Sequence, residues 1–128
     1  MHDQRVMHRD VKPANVLIVS GGVIKLADLG LGRVFGTFSQ GLANSRVGTP
    51  YYMAPERLPE DGAYSYSSDV WSTGCLLYEM SALRTPFYTD SGDLYSLGQK
   101  ILSGAYPALP PAYYSPMLIE LVGQCLMV

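Results

Sequence analysis

Two short β-branched runs, Val16–Val19 (VLIV) and Val23–Leu26 (VIKL), stand on either side of Ser20-Gly21-Gly22. Aliphatic residues at this density favour extended backbone, and a glycine-rich interruption lets the chain reverse, so the segment predicts an antiparallel hairpin. A hairpin brings whatever precedes its first strand beside whatever follows its second. Asn15 and Asp28 are therefore expected to converge, and both carry oxygen atoms able to hold a divalent cation.

Ahead of the hairpin, residues 8 to 15 read HRDVKPAN. Pro13 forbids a continuing helix and pushes Lys12 toward extended geometry, so the segment is a loop. It gathers two cations, a carboxylate and a carboxamide. Taken alone, Asp10 reads better as a turn-capping carboxylate and Lys12 as a solvated charge.

Composition narrows the classes. With 48% hydrophobic and 16% charged residues, the 128-residue chain suits one globular core rather than disorder or a coiled coil. A net charge of −2 and the absence of any Lys/Arg run argue against nucleic acid or a membrane surface as partner, leaving small molecules and proteins. Cys75 and Cys125 sit in apolar segments without metal-ligand spacing, which favours reduced thiols in an intracellular protein, with a single bridge as the alternative. The opening MHDQRVMHRD is too polar for a signal peptide, and LIELVGQCLMV at 118–128 is too short to span a bilayer.

From Gly30 to Ser45 small and polar residues without periodicity predict a long mobile loop. Gly30, Gly32 and Gly36 resemble a nucleotide-binding glycine run, but Phe35 holds the third position and no helix follows. In GTPYYMAPERL, Pro50 and Pro55 stiffen a docking-type surface that leads into a short helical turn. Three helices are expected next. In SSDVWSTGCLLYEMSAL, Val70, Trp71, Leu76, Leu77, Met80 and Leu83 fall on nearly every face, predicting burial on most sides, with Ser67 or Ser68 as cap. Leu94, Leu97 and Ile101 mark one face of an amphipathic helix. Ser115-Pro116 opens a helix striped by Leu118, Leu121, Val122, Cys125 and Leu126.

Order and spacing join these pieces. His8, Arg9, Asp10, Lys12, Pro13 and Asn15 reproduce the fixed letters of a protein-kinase catalytic loop, with Asn15 five residues after Asp10. Asp28-Leu29-Gly30 follows thirteen residues beyond Asn15, in the place of the metal-binding DFG triplet, and Ala54-Pro55-Glu56 closes the series. The chain resembles the C-terminal lobe of a eukaryotic protein kinase over almost its whole length. DLGLGRVF, VGTPYYMAPE and CLLYEMSALRTPFY make it most similar to the NIMA-related (NEK) serine/threonine kinases.

That resemblance implies a mainly α fold with a small β-hairpin, an incomplete kinase-like α+β lobe in which residues 1–128 run from the catalytic loop to the helix after the substrate-docking region. It implies ATP and Mg²⁺ as cofactors and proteins as substrates, with ATP-dependent phosphoryl transfer to Ser/Thr hydroxyls as the reaction. Asp10 would orient the substrate hydroxyl and accept its proton. Asn15 and Asp28 would hold Mg²⁺ against the phosphates, and Lys12 would approach the transferring phosphate as a point charge. Thr49 would bridge Asp10 and Lys12. Arg9 would meet a phosphate on the loop after the DFG position, with Ser45 as the first candidate and Ser39 and Thr37 behind it. His8, Gly30, Glu56 and Asp69 would be structural, Asp69 through hydrogen bonds to the catalytic-loop backbone. Leu29 in place of Phe would anchor the triplet less firmly.

The resemblance also sets expectations about what is missing. The glycine-rich loop, strand lysine and partnering glutamate of the N-terminal lobe are not in this sequence. The helix bearing Trp71 and Leu76 is expected to lose cover and expose an apolar patch. Glu56 is expected to lack an arginine partner, at a cost of about 3 to 5 kcal/mol if buried. The 128 residues alone are thus expected to be marginally folded and inactive, a fragment or truncated product. The alternatives are a catalytically inactive interaction module and, more weakly, a two-carboxylate hydrolase using Asp10 and Asp28. A cytoplasmic or nuclear location follows, with centrosome or spindle as places within it.

Overall fold

The hairpin forms where the sequence predicts it. In the computed structural model, which describes residues 1–29, 50–59, 62–90 and 92–128, β1 (Val16–Val19) pairs antiparallel with β2 (Val23–Leu26) in the register Val16↔Leu26 to Val19↔Val23. Gly21 and Gly22 both take positive φ, and Gly22 N–H closes the turn on Val19 C=O at 3.1 Å. Left-handed backbone at both positions is what glycine permits without steric cost. The ladder continues one step beyond the strand ends, where Ala27 N–H donates to Asn15 C=O at 2.8 Å. The backbone at Asn15 is thereby fixed beside the residue that precedes Asp28.

Three α-helices stand among the described residues. They are α1 (Tyr66–Ala82), α2 (Leu94–Ser103) and α3 (Pro116–Cys125). The expected start of α1 is corrected: Ser65, with extended backbone, is the cap rather than Ser67 or Ser68. Ser68 sits three residues further on, and its Oγ accepts from Ser65 N–H at 3.2 Å. Asp93 caps α2 by accepting from Ser96 N–H at 2.7 Å, and Ser115 caps α3 by accepting from Leu118 N–H at 3.3 Å, with Pro116 in the first turn. A side-chain oxygen at each of these starts takes a backbone N–H that the helix itself cannot use.

The core joins all three helices. Trp71, Cys75 and Tyr78 of α1, Leu97 and Ile101 of α2, and Val122 and Leu126 at the end of α3 are buried together with Ala54, Phe87 and Leu109. Trp71 stacks on Phe87 with centroids 5.3 Å apart, and Phe87 meets Tyr106 edge-on at 5.8 Å. Gly74 allows α1 and α3 to approach, since a Cβ there would lie 2.6 Å from Cys125 Cβ.

One expectation about exposure is overturned. Trp71 and Leu76 are only 2% and 9% exposed, so the helix retains its cover at both positions, with Phe87 lying over Trp71. Val70 and Met80 face solvent along one side of the helix and Leu83 does so just past its end, but eight of its 17 residues are buried and spread around the rest of its circumference, so α1 is buried on most sides as expected. Leu83 takes the left-handed conformation that closes the helix, its N–H bonded to Glu79 C=O, and this turns its side chain out of the stripe. The larger apolar exposure lies on the hairpin, where the facing pair Ile18 and Ile24 are 77% and 69% exposed. No helix among the described residues is long and apolar enough to cross a membrane.

Gly30, Thr37, Ser39, Ser45 and Thr49, and with them the predicted loop and the bridging and regulatory roles, lie outside the described residues.

Candidate active site

Residues 8 to 15 are held in an irregular path that ends in one 3-10 turn, Pro13–Asn15, with Lys12 extended before it. Proline at the head of this turn fixes φ and gives up an N–H that the turn would leave unused. The result returns Asn15 to Asp10. Asn15 Nδ2 donates to Asp10 C=O at 2.7 Å and to Asp10 Oδ2 at 3.0 Å. From the other side Lys12 Nζ pairs with the same carboxylate, 2.9 Å from Oδ2 and 3.1 Å from Oδ1. Asp10 is thus gripped by a cation and an amide while its side chain stays partly open to solvent.

Beneath this triad lies a buried histidine. Asp10 N–H donates to His8 Nδ1 at 3.3 Å, which makes Nδ1 the acceptor, so Nε2 carries the ring proton and donates to Ala27 C=O at 2.9 Å. His8 therefore ties the loop to the end of β2. Asp28, the next residue, adopts φ 59°, a left-handed conformation that an aspartate tolerates better than most side chains, and is exposed. Leu29 is exposed as well.

Asp69, in the first turn of α1, anchors the whole loop. Its Oδ2 accepts from His8 N–H and its Oδ1 from Arg9 N–H, both at 2.8 Å. Tyr64 OH donates to Oδ1 at 2.7 Å, and His2 Nε2 lies 3.0 Å from Oδ2. Burial by itself would raise the Asp69 carboxyl, but the bonds from His2, Arg9, Tyr64 and His8 outweigh it and hold the group below the usual carboxylate range. Burial and the Asp69 contact push the Tyr64 phenol far up, keeping it a donor. Arg9 takes φ 71°, a strained value for a non-glycine residue, which the paired carboxylate bond helps to hold.

The donor chemistry suits a hard divalent cation. Asn15 commits its Nδ2 to Asp10, so the amide oxygen is the end left for other partners, and the Asp28 carboxylate follows directly on the residue paired with Asn15. One amide oxygen and one carboxylate, completed by phosphate and water oxygens, is a set that magnesium accepts and that a softer metal would not prefer.

At Glu56, expected to go without its arginine partner, hydroxyl donors gather. The side chain is half-buried, and its Oε1 accepts from Ser68 Oγ at 2.7 Å, Ser67 Oγ at 3.2 Å and Ser65 Oγ at 3.4 Å. Three hydroxyls at the positive end of α1 compensate the charge without an arginine. Sequence reasoning missed His2 and Tyr64. The tyrosine five residues before Asp69 was a weak local signal, whereas His2 had none, because its contact spans 67 residues. The turn His2–Gln4 carries that side chain, whose ring packs on Tyr66 at 4.8 Å.

Comparison with known proteins gives the family. The family profile "Protein kinase domain" matches residues 1–128. The chain is 38% identical over 124 residues to serine/threonine-protein kinase Nek1 of Mus musculus, covering 97% of this chain and 10% of that protein. It is 40% identical over 122 residues to Nek4 of the same organism, covering 95% and 15% respectively. Mitogen-activated protein kinase kinase SIPKK of Nicotiana tabacum is 38% identical over 129 residues, covering 97% of this chain and 36% of that protein. The chain therefore spans a minor part of the length of each of these relatives. With the family profile matched from end to end, this chain belongs to the protein kinase family.

Proposed function

We infer that this chain is the C-terminal lobe of a NIMA-related serine/threonine protein kinase, and that it contributes the catalytic loop for transfer of the terminal phosphoryl group of ATP to a protein hydroxyl. The observation that carries the reading is the grip on Asp10, held by Lys12 at 2.9 Å and by Asn15 at 3.0 Å. A carboxylate fixed from two sides but still reachable suits a base that must meet a hydroxyl in one orientation.

The residues divide the work. Asp10 orients the incoming Ser or Thr hydroxyl and takes its proton as the new P–O bond forms and the bond to the ADP oxygen breaks. Lys12, already beside Asp10, offers its ammonium to the phosphoryl oxygens, where charge is spread in the transition state. Asn15 and Asp28 would hold Mg²⁺. When bound, that ion neutralises phosphate charge and fixes the phosphates in line for transfer. Asp69 keeps the loop in register through His8 and Arg9.

The names of the relatives support the hydroxyl-directed reading, and Lys12 two residues after Asp10 supports it independently. The test is transfer of labelled phosphate from ATP to a casein-type substrate by the purified gene product that carries these residues, with phosphoamino-acid analysis. Label on serine or threonine, abolished in Asp10→Asn, is expected. Label on tyrosine alone, or transfer undiminished in Asp10→Asn, would overturn the reading.

A further inference from the structure

A cleft of about 440 Å³ opens on the far end of α1, between its last turns and the 107–114 connection that leads to α3. None of the groups assigned to phosphoryl transfer lines it. Its frame is built by the chain's own hydrogen bonds. Tyr78 OH donates to Pro107 C=O at 2.9 Å, and Tyr114 OH donates to Ser81 C=O at 2.6 Å, so two tyrosines clamp the connection to the helix end. Ser81 Oγ is likewise committed, to Leu77 C=O.

What the frame leaves over is informative. The lining contains one cation, Arg84, and no acidic residue. Arg84 is exposed and has no ion pair among the described residues. Tyr113, on the opposite wall, is 82% exposed. The remaining surface is proline, alanine and leucine. The exposed Pro107, Pro110 and Tyr113 beside a single unpaired guanidinium are complementary to an apolar side chain next to a carboxylate. Because Arg84, Pro107, Ala108, Pro110 and Tyr113 all face solvent, the cleft is open along its length, which admits an extended peptide that keeps its backbone in water.

We propose that this cleft docks an acidic peptide segment of a partner protein, with a Glu or Asp carboxylate on Arg84 and the neighbouring apolar side chain against Pro107, Pro110 and Tyr113. The site lies apart from Asp10 and Lys12, so docking and transfer are separable.

The experiment uses the purified gene product and three labelled, capped peptides read by fluorescence anisotropy: alternating Glu and Leu, the same peptide with Gln for Glu, and one with phosphoserine for Glu. The Glu peptide is expected to bind about fivefold tighter than the Gln peptide. Arg84→Gln should remove that difference, and raised salt should shrink it. Tyr113→Ala should weaken both peptides alike. Equal affinity of the Glu and Gln peptides, or a preference untouched by Arg84→Gln, would overturn the proposal. Binding of the phosphoserine peptide alone would also overturn it, by pointing to a phosphate site. Binding needs neither ATP nor magnesium, so a failure here is distinguishable from a failure of the proposed kinase activity.

Discussion

Arg9 donates its backbone N–H to Asp69 at 2.8 Å, although 60 residues separate them in the chain. His8 does the same to the other oxygen of that carboxylate. One side chain from the first turn of α1 thus fixes two consecutive peptide units of the loop that carries Asp10. The position of Asp10 depends on a helix some 60 residues further along the chain.

Replacing Asp69 with Asn should therefore cost more than an average polar substitution. The amide can accept through one atom only, and its NH₂ would face a donor. Loss of charge-assisted bonds of this kind typically costs about 1.5 to 3 kcal/mol. A urea midpoint lowered to match, together with weakened transfer activity, is expected. An unchanged midpoint would mean that water replaces the carboxylate at no cost.

The same group sets a pH dependence. Hydrogen bonds hold the Asp69 carboxyl below its ordinary range in the folded state, while the unfolded chain titrates near about 3.9. The folded value is the lower one, so the stabilisation is fully present above the unfolded value and is lost as pH falls through the folded one. Urea unfolding followed from pH 5 downward should show wild type losing its advantage over Asp69→Asn below about pH 4. An advantage that grew on acidification would contradict this sign.

Gly74 offers a test of the α1–α3 packing. A Cβ there would meet Cys125 Cβ at 2.6 Å and two Leu126 atoms at 3.0 and 3.1 Å. These contacts are with atoms on a packed helix that cannot swing aside, so the helices must separate. Gly74→Ala should destabilise by about 1 to 3 kcal/mol despite the better helix propensity of alanine. A thermal midpoint equal to or above wild type would show that the two helices are not in close contact.

The parts legible in the sequence were those with local causes. Ser20-Gly21-Gly22 between β-branched runs marked both strands, and Ser115-Pro116 marked the start of α3, because turn chemistry and caps act within a few residues. The start of α1 was misplaced because Ser65, Ser67 and Ser68 all offer capping oxygens, and only the backbone at Ser65 decides among them. Which apolar residues of α1 face inward was not legible either. Trp71 is covered by Phe87, sixteen residues on, while Val70 beside it is left in solvent. At the site, the convergence of Asn15 with the end of β2 followed from the hairpin alone. The partners of Asp69 and the serine cluster on Glu56 come from tertiary contacts, which no periodicity announces.

The proposed joint binding of magnesium by Asn15 and Asp28 is tested most directly by the magnesium dependence of phosphoryl transfer. Wild-type gene product should be compared with Asn15→Ala and Asp28→Asn at saturating ATP across a magnesium titration, with urea unfolding run alongside. We expect Asp28→Asn to unfold at the wild-type midpoint and to lose about a hundredfold or more in rate, and Asn15→Ala to need far more magnesium for its residual activity. Rates and magnesium requirements equal to wild type in both variants would contradict the account.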